Sequence, residues 1–183
     1  MTDFAIYDIE NAPDASKPLL EKSLKGFGRI PGLHGTMAEA PGLLEGYQVL
    51  HSLFAATSFN ADELTVIWQS INVEHECHYC VPAHTGIAKM MKVDDAITAA
   101  LRDETPLPSD KLEALREFTL KLVRNRADIS DSDVQKFLDA GYGKRQILEI
   151  ILGIAQKVMS NYTNRLAQTP VDEVFDKYKW SKS

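Results

Sequence analysis

The sequence predicts an all-α protein, and three observations support that prediction. Apolar residues recur at helical spacing through most of the chain, as they do from Leu43 to Phe54. Capping residues and helix breakers divide the chain at intervals that are typical of helices. No stretch shows a convincing strand pattern, and no repeat has a fixed period. We therefore expect a bundle of about eight helices.

The N-terminal part predicts an arm followed by short helices. Residues 1–17 are expected to form an extended or weakly ordered arm before a single domain at residues 18–183. Pro18 to Lys25 predicts a short helix that ends at the glycines following it. Thr36 to Ala40 predicts one helical turn. Pro41 suits the first turn of the next helix, which continues to Phe54.

A capping box predicts the start of the next helix. Asn60 precedes Glu63 by three residues, the spacing at which the two side chains cap each other's backbone N–H groups. The apolar stripe of this helix is Leu64, Ile67, Trp68 and Ile71. A separate polar stripe is formed by Thr65, Gln69, Asn72 and Glu76.

Before a final short helix, the second half of the sequence predicts five more helices of different lengths. Their expected ranges are Ala83–Met91, Asp94–Leu101, a helix capped by Ser109, one from Ser130 or Asp131 to Gly141 or Gly143, and Lys144 to about Gln168. Within the last of these, Ile147 to Ala155 is apolar nearly all round, which predicts a central position in the bundle. Val171 to Tyr178 predicts a final helix after the Thr169-Pro170 break.

The composition argues against several classes of protein, among them nucleic-acid binders and membrane-spanning proteins. The 183 residues carry a formal net charge of -6, which argues against a general nucleic-acid binder. No apolar run approaches the roughly 18 residues that would span a membrane. Met1 to Ala15 resembles neither a signal peptide nor a transit peptide, so we expect a cytoplasmic protein. In that compartment an isolated Cys-x-x-Cys pair indicates redox chemistry or metal binding.

Reactive groups concentrate between Glu76 and His84. Both cysteines of the chain, Cys77 and Cys80, lie in this stretch, and His84 follows the second by four residues. A helix beginning near Cys77 would place both sulfurs at its N-terminal end, where free N–H groups and the helix dipole stabilise a thiolate. His84 would lie one turn from Cys80 on the same face and could exchange a proton with it.

The local chemistry leaves three interpretations open. In the favoured one, a thiolate attacks a peroxide, becomes a sulfenic acid and then condenses with the second cysteine to a disulfide. In the second, Cys77, Cys80 and His84 bind zinc, with His75, His78 or a water as the fourth ligand. In the third, the two cysteines are inert residues of the core.

The motif and its flanks resemble the alkylhydroperoxidase D-like / carboxymuconolactone decarboxylase superfamily, and especially its peroxidase-related branch. Four segments carry the resemblance, and together they extend over roughly Leu20 to Asp172: Ile30 to Leu33, Ala38 to Pro41, Cys77 to Thr85, and Asn161 to Asp172.

The resemblance implies an AhpD-like helical bundle in which a helical hairpin holds the Cys-x-x-Cys-x-x-x-His motif, and it implies homo-oligomers. It gives Cys80 the role of the cysteine that forms the sulfenic acid, Cys77 that of its resolving partner, and His84 a place in the proton relay. It further implies an antioxidant enzyme that reduces hydroperoxides without a bound cofactor or metal. The disulfide would be reduced by an external dithiol, such as a lipoyl group, a thioredoxin-like protein or a small thiol. A lactone decarboxylase remains the alternative within the superfamily, although that branch generally lacks the cysteine pair.

The chain departs from the peroxidase pattern at the relay carboxylate. The glutamate expected about three turns before the first cysteine is Thr65 here, and Tyr79 occupies the place of a histidine. The candidate relay groups are therefore Glu76, or Thr65 together with water held along Gln69 and Asn72.

Several other residues are expected to have structural roles. These are Phe54, Phe59 and Trp68 in the core, Met90 and Met91 in the core or an interface, and Asn161 and Asn164 near the end of the longest helix. His34 and His51 are expected to have no role in the site.

Overall fold

The structure is a computed structural model that describes residues 3–182, and within that range it contains helices and no strand. The all-α prediction is therefore confirmed. Nine α-helices follow one another: α1 (Lys17–Phe27), α2 (Gly32–Met37), α3 (Pro41–Ala55), α4 (Ala61–Glu74), α5 (Cys80–Met90), α6 (Asp95–Arg102), α7 (Asp110–Arg124), α8 (Asp131–Asp139) and α9 (Lys144–Ala167). Two short 3-10 segments, Asp14–Ser16 and Glu173–Tyr178, flank them. Between residues 3 and 182, no helix has the length and apolar character needed to cross a bilayer.

Helix α4 is the centre of the bundle. Every residue from Glu63 to Val73 is buried, because α5, α6, α7 and α9 all pack against this helix. The predicted central position of Ile147 to Ala155 is wrong. Ile150 is fully buried, but Leu148 is 67 % exposed and Ile151 is 47 % exposed. Helix α9 packs one face against α3 and α4, and its other apolar face lies at the surface of the single chain.

The apolar interior is divided into two clusters. The larger cluster surrounds α4 and includes Phe54, Trp68 and Ile150. The smaller one joins the first three helices and residues near Phe175 to Cys77 and Cys80. Both cysteines therefore lie inside a packed core.

The observed ends of several elements differ from the predicted ones. The predicted arm is packed against the domain: the Tyr7 N–H donates to the Gly35 carbonyl at 3.1 Å, and the Ser16 hydroxyl donates to the Ala38 carbonyl at 2.6 Å. The turn expected at Thr36 to Ala40 is a helix that begins directly after Pro31 and ends at Met37. The final helix is a 3-10 segment, not an α-helix.

The caps explain why the longer helices begin where they do. The Asn60 side chain accepts from the Glu63 N–H, and the Glu63 carboxylate accepts from the Asn60 N–H, each at 3.0 Å, so the predicted capping box is confirmed. Ser130 caps α8 by accepting from the Asp133 N–H. Ser109 precedes α7 as predicted, but its side chain makes no capping bond.

The C-terminal segment is fastened across the outside of α5. Arg102 donates to the carbonyls of Tyr178 at 3.0 Å and Lys179 at 3.2 Å. The Phe175 ring sits so close to α5 that a Cβ at Gly86 would lie 2.4 Å from it. A residue without a side chain at position 86 therefore permits this packing.

Gly153 permits the close approach of α9 to α3, and its substitution by alanine tests that contact. A Cβ at position 153 would lie 2.7 Å from the ring of Phe54, which is fully buried and has no room to move. We expect Gly153→Ala to lower the free energy of unfolding by about 1–3 kcal/mol in urea denaturation. Gly46→Ala is the matched control, because its Cβ would meet only the flexible end of Met159 at 3.4 Å. Equal stability of the two variants would contradict the prediction.

Candidate active site

A sharp reversal between α4 and α5 brings the motif into the core. The Glu76 N–H donates to the Val73 carbonyl, and the Cys77 N–H donates to the Asn72 carbonyl at 2.9 Å, a pattern that ends a helix in a Schellman motif. Glu76 has a φ of 49°, in the left-handed region where glycine is usual. Its 51 % exposed carboxylate faces Arg165 at 3.7 Å. The turn thus directs Cys77 inwards and Glu76 outwards.

The sequence predicted a helix that begins near Cys77. In the structure, the regular part of α5 begins three residues later, at Cys80. The Cys77 carbonyl still accepts from the Val81 N–H, and the Cys77 sulfur accepts from the Cys80 N–H at 3.2 Å. The first cysteine therefore caps the turn that carries the second, and the two thiols are held beside each other in a reduced state.

A buried network of amide side chains holds this turn in place. Asn72 donates to the Gln69 side-chain oxygen at 2.9 Å, and Gln69 donates to the Val81 carbonyl at 3.1 Å. Asn161 on α9 donates to the Asn72 oxygen at 2.9 Å, and His75 lies 2.9 Å from the Asn161 oxygen. Satisfied buried networks of this kind rigidify the groups they join. The network therefore fixes α4, the start of α5 and α9 relative to one another.

The Cys80 sulfur lies in surroundings that favour the thiolate. Burial by itself would raise the pKa of this thiol. The hydrogen bond from the Cys77 thiol, the positive charge of Lys157 and the Asn164 amide, whose Nδ2 lies 3.3 Å from the sulfur, outweigh that effect and lower the pKa to about 6. Burial and the neighbouring Cys80 sulfur raise the pKa of Cys77. These surroundings therefore favour ionisation of Cys80 over ionisation of Cys77.

Lys157 and His84 form a second buried pair next to the cysteines. Lys157 is 1 % exposed, and its Nζ lies 3.0 Å from His84 Nε2. Burial and the charge of Lys157 hold the pKa of His84 well below its usual range. Burial also lowers the pKa of Lys157, although the two cysteine sulfurs oppose that shift. His84 is therefore neutral at pH 7, and its Nε2 accepts from the lysine ammonium group.

The two pairs meet at one cavity of about 300 Å³. Cys80, His84 and Lys157 line it, whereas Cys77 lies behind Cys80. Its remaining walls are mainly apolar and aromatic: Phe27, Pro31, Leu33, His34, Tyr47, His51, Tyr79, Ala83, Ile87, Met90 and Phe175. Among the lining residues, Lys22, Phe27 and Met90 are exposed and mark the mouth. The cavity therefore has the size and the largely apolar walls of a site for a small organic molecule, and Cys80 is part of its lining.

A series of ring contacts runs from the wall of this cavity into α4. His34 packs edge-on against Tyr47 at 5.5 Å, Tyr47 stacks on His51 at 6.1 Å, and His51 stacks on Trp68 at 5.7 Å between ring centres. Trp68 in turn lies 5.0 Å from the ring of His84. The rings therefore connect the interior of α4 to the histidine beside Lys157.

Comparison with solved structures relates this arrangement to known proteins. An uncharacterized peroxidase-related protein from Ralstonia eutropha JMP134, with an alkylhydroperoxidase AhpD core, matches with a TM-score of 0.81 and 16 % identity over 96 % of both chains. A second uncharacterized peroxidase-related protein, from Silicibacter sp. TM1040, matches with a TM-score of 0.78 and 17 % identity over 95 % of both chains. The chain has an AhpD-like fold. The debrominase Bmp8, in a cysteine variant bound to 2,3,4-tribromopyrrole, also matches, with a TM-score of 0.75 and 18 % identity over 94 % of this chain and 93 % of Bmp8. No protein-family model matches the sequence, and no curated protein is significantly similar to it.

Within the AhpD-like fold, three of the five residues proposed from the sequence come together. Cys77, Cys80 and His84 lie in and around the start of α5, and two of them line the cavity. Glu76 points away from the cavity towards Arg165. Thr65 is buried in α4 and does not line the cavity.

Lys157 belongs to the site although no motif in the sequence marks it. Helical spacing could have indicated it, because Ile150, Gly153, Lys157 and Asn164 recur every three to seven residues and all lie on the buried face of α9. Asn164 was expected to be structural but contacts the Cys80 sulfur. His34 and His51, which were expected to have no role, line the cavity. Met90 was expected in the core or an interface, but it is exposed at the mouth.

The residues of the zinc alternative do not converge on one point. His75 is bonded to Asn161, His78 lies 2.9 Å from the Thr169 carbonyl, and His84 accepts from Lys157. Within residues 3–182, no three histidine, cysteine or carboxylate side chains form a group that could hold a metal ion.

Replacement of Asn164 tests the assignment of Cys80 as the acidic thiol. In the wild-type protein, the rate of alkylation by limiting iodoacetamide should rise with pH through about 6, because the thiolate is the reactive form. Asn164→Leu removes the amide donor, and we expect the midpoint to rise by about one pH unit. Peptide mass spectrometry should place the label on Cys80. A midpoint near that of an ordinary thiol in the wild-type protein would contradict the assignment.

Proposed function

We propose that the protein is a thiol-dependent peroxidase, a disulfide oxidoreductase that reduces organic hydroperoxides through the Cys77–Cys80 pair. The observation that carries the proposal is the position of Cys80 in the wall of a largely apolar cavity, with a lowered pKa and with the Cys77 sulfur next to it and outside the lining. A peroxidase of this kind needs a nucleophilic thiolate that the substrate can reach and a second thiol that the substrate cannot reach. The fold shared with peroxidase-related proteins supports the same proposal.

The reaction follows from the positions of the two sulfurs. The Cys80 thiolate attacks the terminal oxygen of the hydroperoxide, the O–O bond breaks, and Cys80 becomes a sulfenic acid while the alcohol leaves. Cys77 then attacks the Cys80 sulfur, a disulfide forms, and the hydroxyl group leaves as water. His84 lies in the proton path next to these groups. An external dithiol, such as a lipoyl group or a thioredoxin-like protein, would reduce the disulfide and complete an antioxidant cycle.

Mass spectrometry of single-cysteine variants tests this function. With stoichiometric cumene hydroperoxide, the wild-type protein should lose both thiols and gain a Cys77–Cys80 disulfide. Cys77→Ser should stop at a Cys80 sulfenic acid, which dimedone traps, because the resolving thiol is missing. Cys80→Ser should consume peroxide at least about 100-fold more slowly, since only the less acidic thiol remains.

Other results in these experiments would support the alternatives. Thiols that survive excess peroxide would rule out a peroxidase. Stoichiometric zinc in protein purified without added metal would favour a metal-binding module. Lactone decarboxylation that persists in the Cys77→Ser/Cys80→Ser double variant would favour a decarboxylase.

Reductive dehalogenation is a second candidate, favoured by the likeness to the debrominase Bmp8 and by the ring-lined cavity. The same cysteine pair could supply two electrons by closing to a disulfide while a halide and a protonated carbon are released. Incubation of the reduced protein with 2,3,4-tribromopyrrole or a tetrabrominated pyrrole distinguishes the two functions. Bromide release in parallel with disulfide formation would support this candidate over the peroxidase.

We also propose that the protein is a homo-oligomer in the cytoplasm. The α3–α9 pair leaves apolar side chains exposed on the single chain: Val49 and Leu53 on α3, and Leu148 and Ile151 on α9. Exposed apolar residues grouped on one helix pair are typical of an interface. A second copy of the chain would cover them, and the cavity mouth at Phe27 and Met90 would stay open to substrate and reductant.

Charge substitution on α9 tests this interface. Leu148→Glu/Ile151→Glu should reduce the mass in light scattering to that of one chain, because a carboxylate at an apolar interface is costly to desolvate. Val174→Glu, which changes an exposed apolar residue outside the helix pair, is the control and should leave the mass unchanged. A wild-type protein that is already monomeric would refute the proposed assembly.

A further inference from the structure

Lys157 has a buried amino group without a carboxylate partner. No ion pair in the part of the chain that the structure describes involves Lys157. Asp172 is the carboxylate that lines the same cavity, but its oxygens interact with other groups. They accept hydrogen bonds from the Gly32 N–H and the Tyr79 hydroxyl, each at 2.9 Å, and lie 3.5 Å from the Arg29 guanidinium. A buried ammonium group without a counter-ion is costly, so its presence requires an explanation.

The groups that face Lys157 are nucleophilic or neutral. His84 of α5 lies within hydrogen-bond distance of the Lys157 amino group. His51 and Tyr47 of α3 line the same cavity. The two cysteines of the motif are close enough to shift the pKa of Lys157. The two histidines are neutral at pH 7, because burial and the charge of Lys157 hold their pKa values down, to about 4 for His51. The charge of a Cys80 thiolate is the largest of the influences that raise the pKa of Lys157 against the lowering by burial. The lysine and this cysteine both line the cavity wall.

This arrangement replaces the relay carboxylate that the sequence lacks at Thr65. A carboxylate would remove a proton from the nucleophilic thiol and return it later. An ammonium group instead stabilises a thiolate that is already formed, and it carries a proton that can be donated. His84 Nε2 accepts one of its three N–H bonds and so orients the other two.

On the basis of the proposed peroxidase function, we propose that Lys157 is the catalytic acid that protonates the leaving oxygen when the Cys80 thiolate cleaves a hydroperoxide. His84 acts as the positioning residue that holds the ammonium group towards Cys80. Lys157 and Cys80 line the same cavity, so a hydroperoxide bound against the sulfur also meets Nζ.

The steps balance without any further reactant. The thiolate, the hydroperoxide and the ammonium group become a sulfenic acid, an alcohol and a neutral amine. The S–O bond forms as the O–O bond breaks, and one proton moves from Nζ to the alkoxide oxygen. The neutral amine then takes the proton of Cys77 as that thiol attacks, and it returns this proton to the leaving hydroxide to give water. Reduction of the disulfide by the external dithiol restores both thiols, and Lys157 again takes the proton of Cys80.

Two oxidants with different leaving groups separate proton donation from simple charge stabilisation. tert-Butyl hydroperoxide releases a strongly basic alkoxide that needs a proton, whereas peracetic acid releases acetate, which needs none. We expect Lys157→Met to slow single-turnover oxidation of Cys80 by tert-butyl hydroperoxide about 100-fold more than oxidation by peracetic acid. The ratio of the two rates cancels any change in the amount of thiolate, which iodoacetamide alkylation measures separately.

The variants provide matched controls. Methionine has a similar length and leaves no unpaired charge, so Lys157→Met is expected to fold, and circular dichroism checks this. Lys157→Gln provides a second neutral variant. Lys157→Arg keeps the positive charge, so the thiol pKa should stay lowered. Arginine holds its proton too tightly to act as an acid, so the rate with tert-butyl hydroperoxide should fall relative to the rate with peracetic acid. Lys144→Met removes an exposed positive charge at the start of α9, outside the cavity lining, and should change neither measurement.

The outcomes distinguish this inference from the function on which it rests. A rate ratio that falls in Lys157→Met and Lys157→Gln but not in Lys144→Met supports Lys157 as the acid. An unchanged ratio with a raised thiol pKa would overturn the inference and leave the peroxidase function in place. If neither oxidant converts Cys80 in the wild-type protein, the peroxidase function itself is overturned, and the inference with it.

Discussion

The candidate site depends on the placement of Lys157, whose amino group is buried at the cavity wall beside the cysteines and His84. In a medium of low polarity, the Lys157 ammonium group either loses its proton or acquires an anion. A Cys80 thiolate would supply that anion. The hydrogen bond from Cys77, the charge of Lys157 and the Asn164 amide together lower the pKa of Cys80 to about 6, in a place where burial alone would raise it. Burial, assisted by the charge of Lys157, keeps His84 neutral beside the lysine.

The fold was predictable from the sequence because helix periodicity and caps are local signals. The capping box at Asn60 and the apolar stripe of α4 depend on residues three or four positions apart, and both occur in the structure. The central position of α4 was not predictable in this way. It depends on how many helices pack around each element, and the apolar stretch of α9 looked equally central although it leaves Leu148 exposed.

The site was predictable only in part, for a related physical reason. Cys77, Cys80 and His84 are neighbours in sequence, so one turn of chain is enough to bring them together. Lys157 and Asn164 come from α9, more than 70 residues away, and reach the cysteines only through tertiary packing. The turn that points Glu76 outwards also depends on a left-handed residue that is not glycine, which no sequence signal marks. The fold itself does not decide the reaction, since peroxidase-related proteins and a debrominase share it.

The position of the C-terminal segment has a consequence for biosynthesis. Phe175 closes one wall of the cavity, and Arg102 fastens the backbone beyond it at Tyr178 and Lys179. During translation the cysteines emerge about a hundred residues before that wall. Under the proposed function, a nascent chain would therefore expose Cys80 to cellular oxidants before the cavity wall at Phe175 is in place. Cys77 would limit the damage, because an oxidised Cys80 would close onto its own neighbour before it could crosslink to another chain.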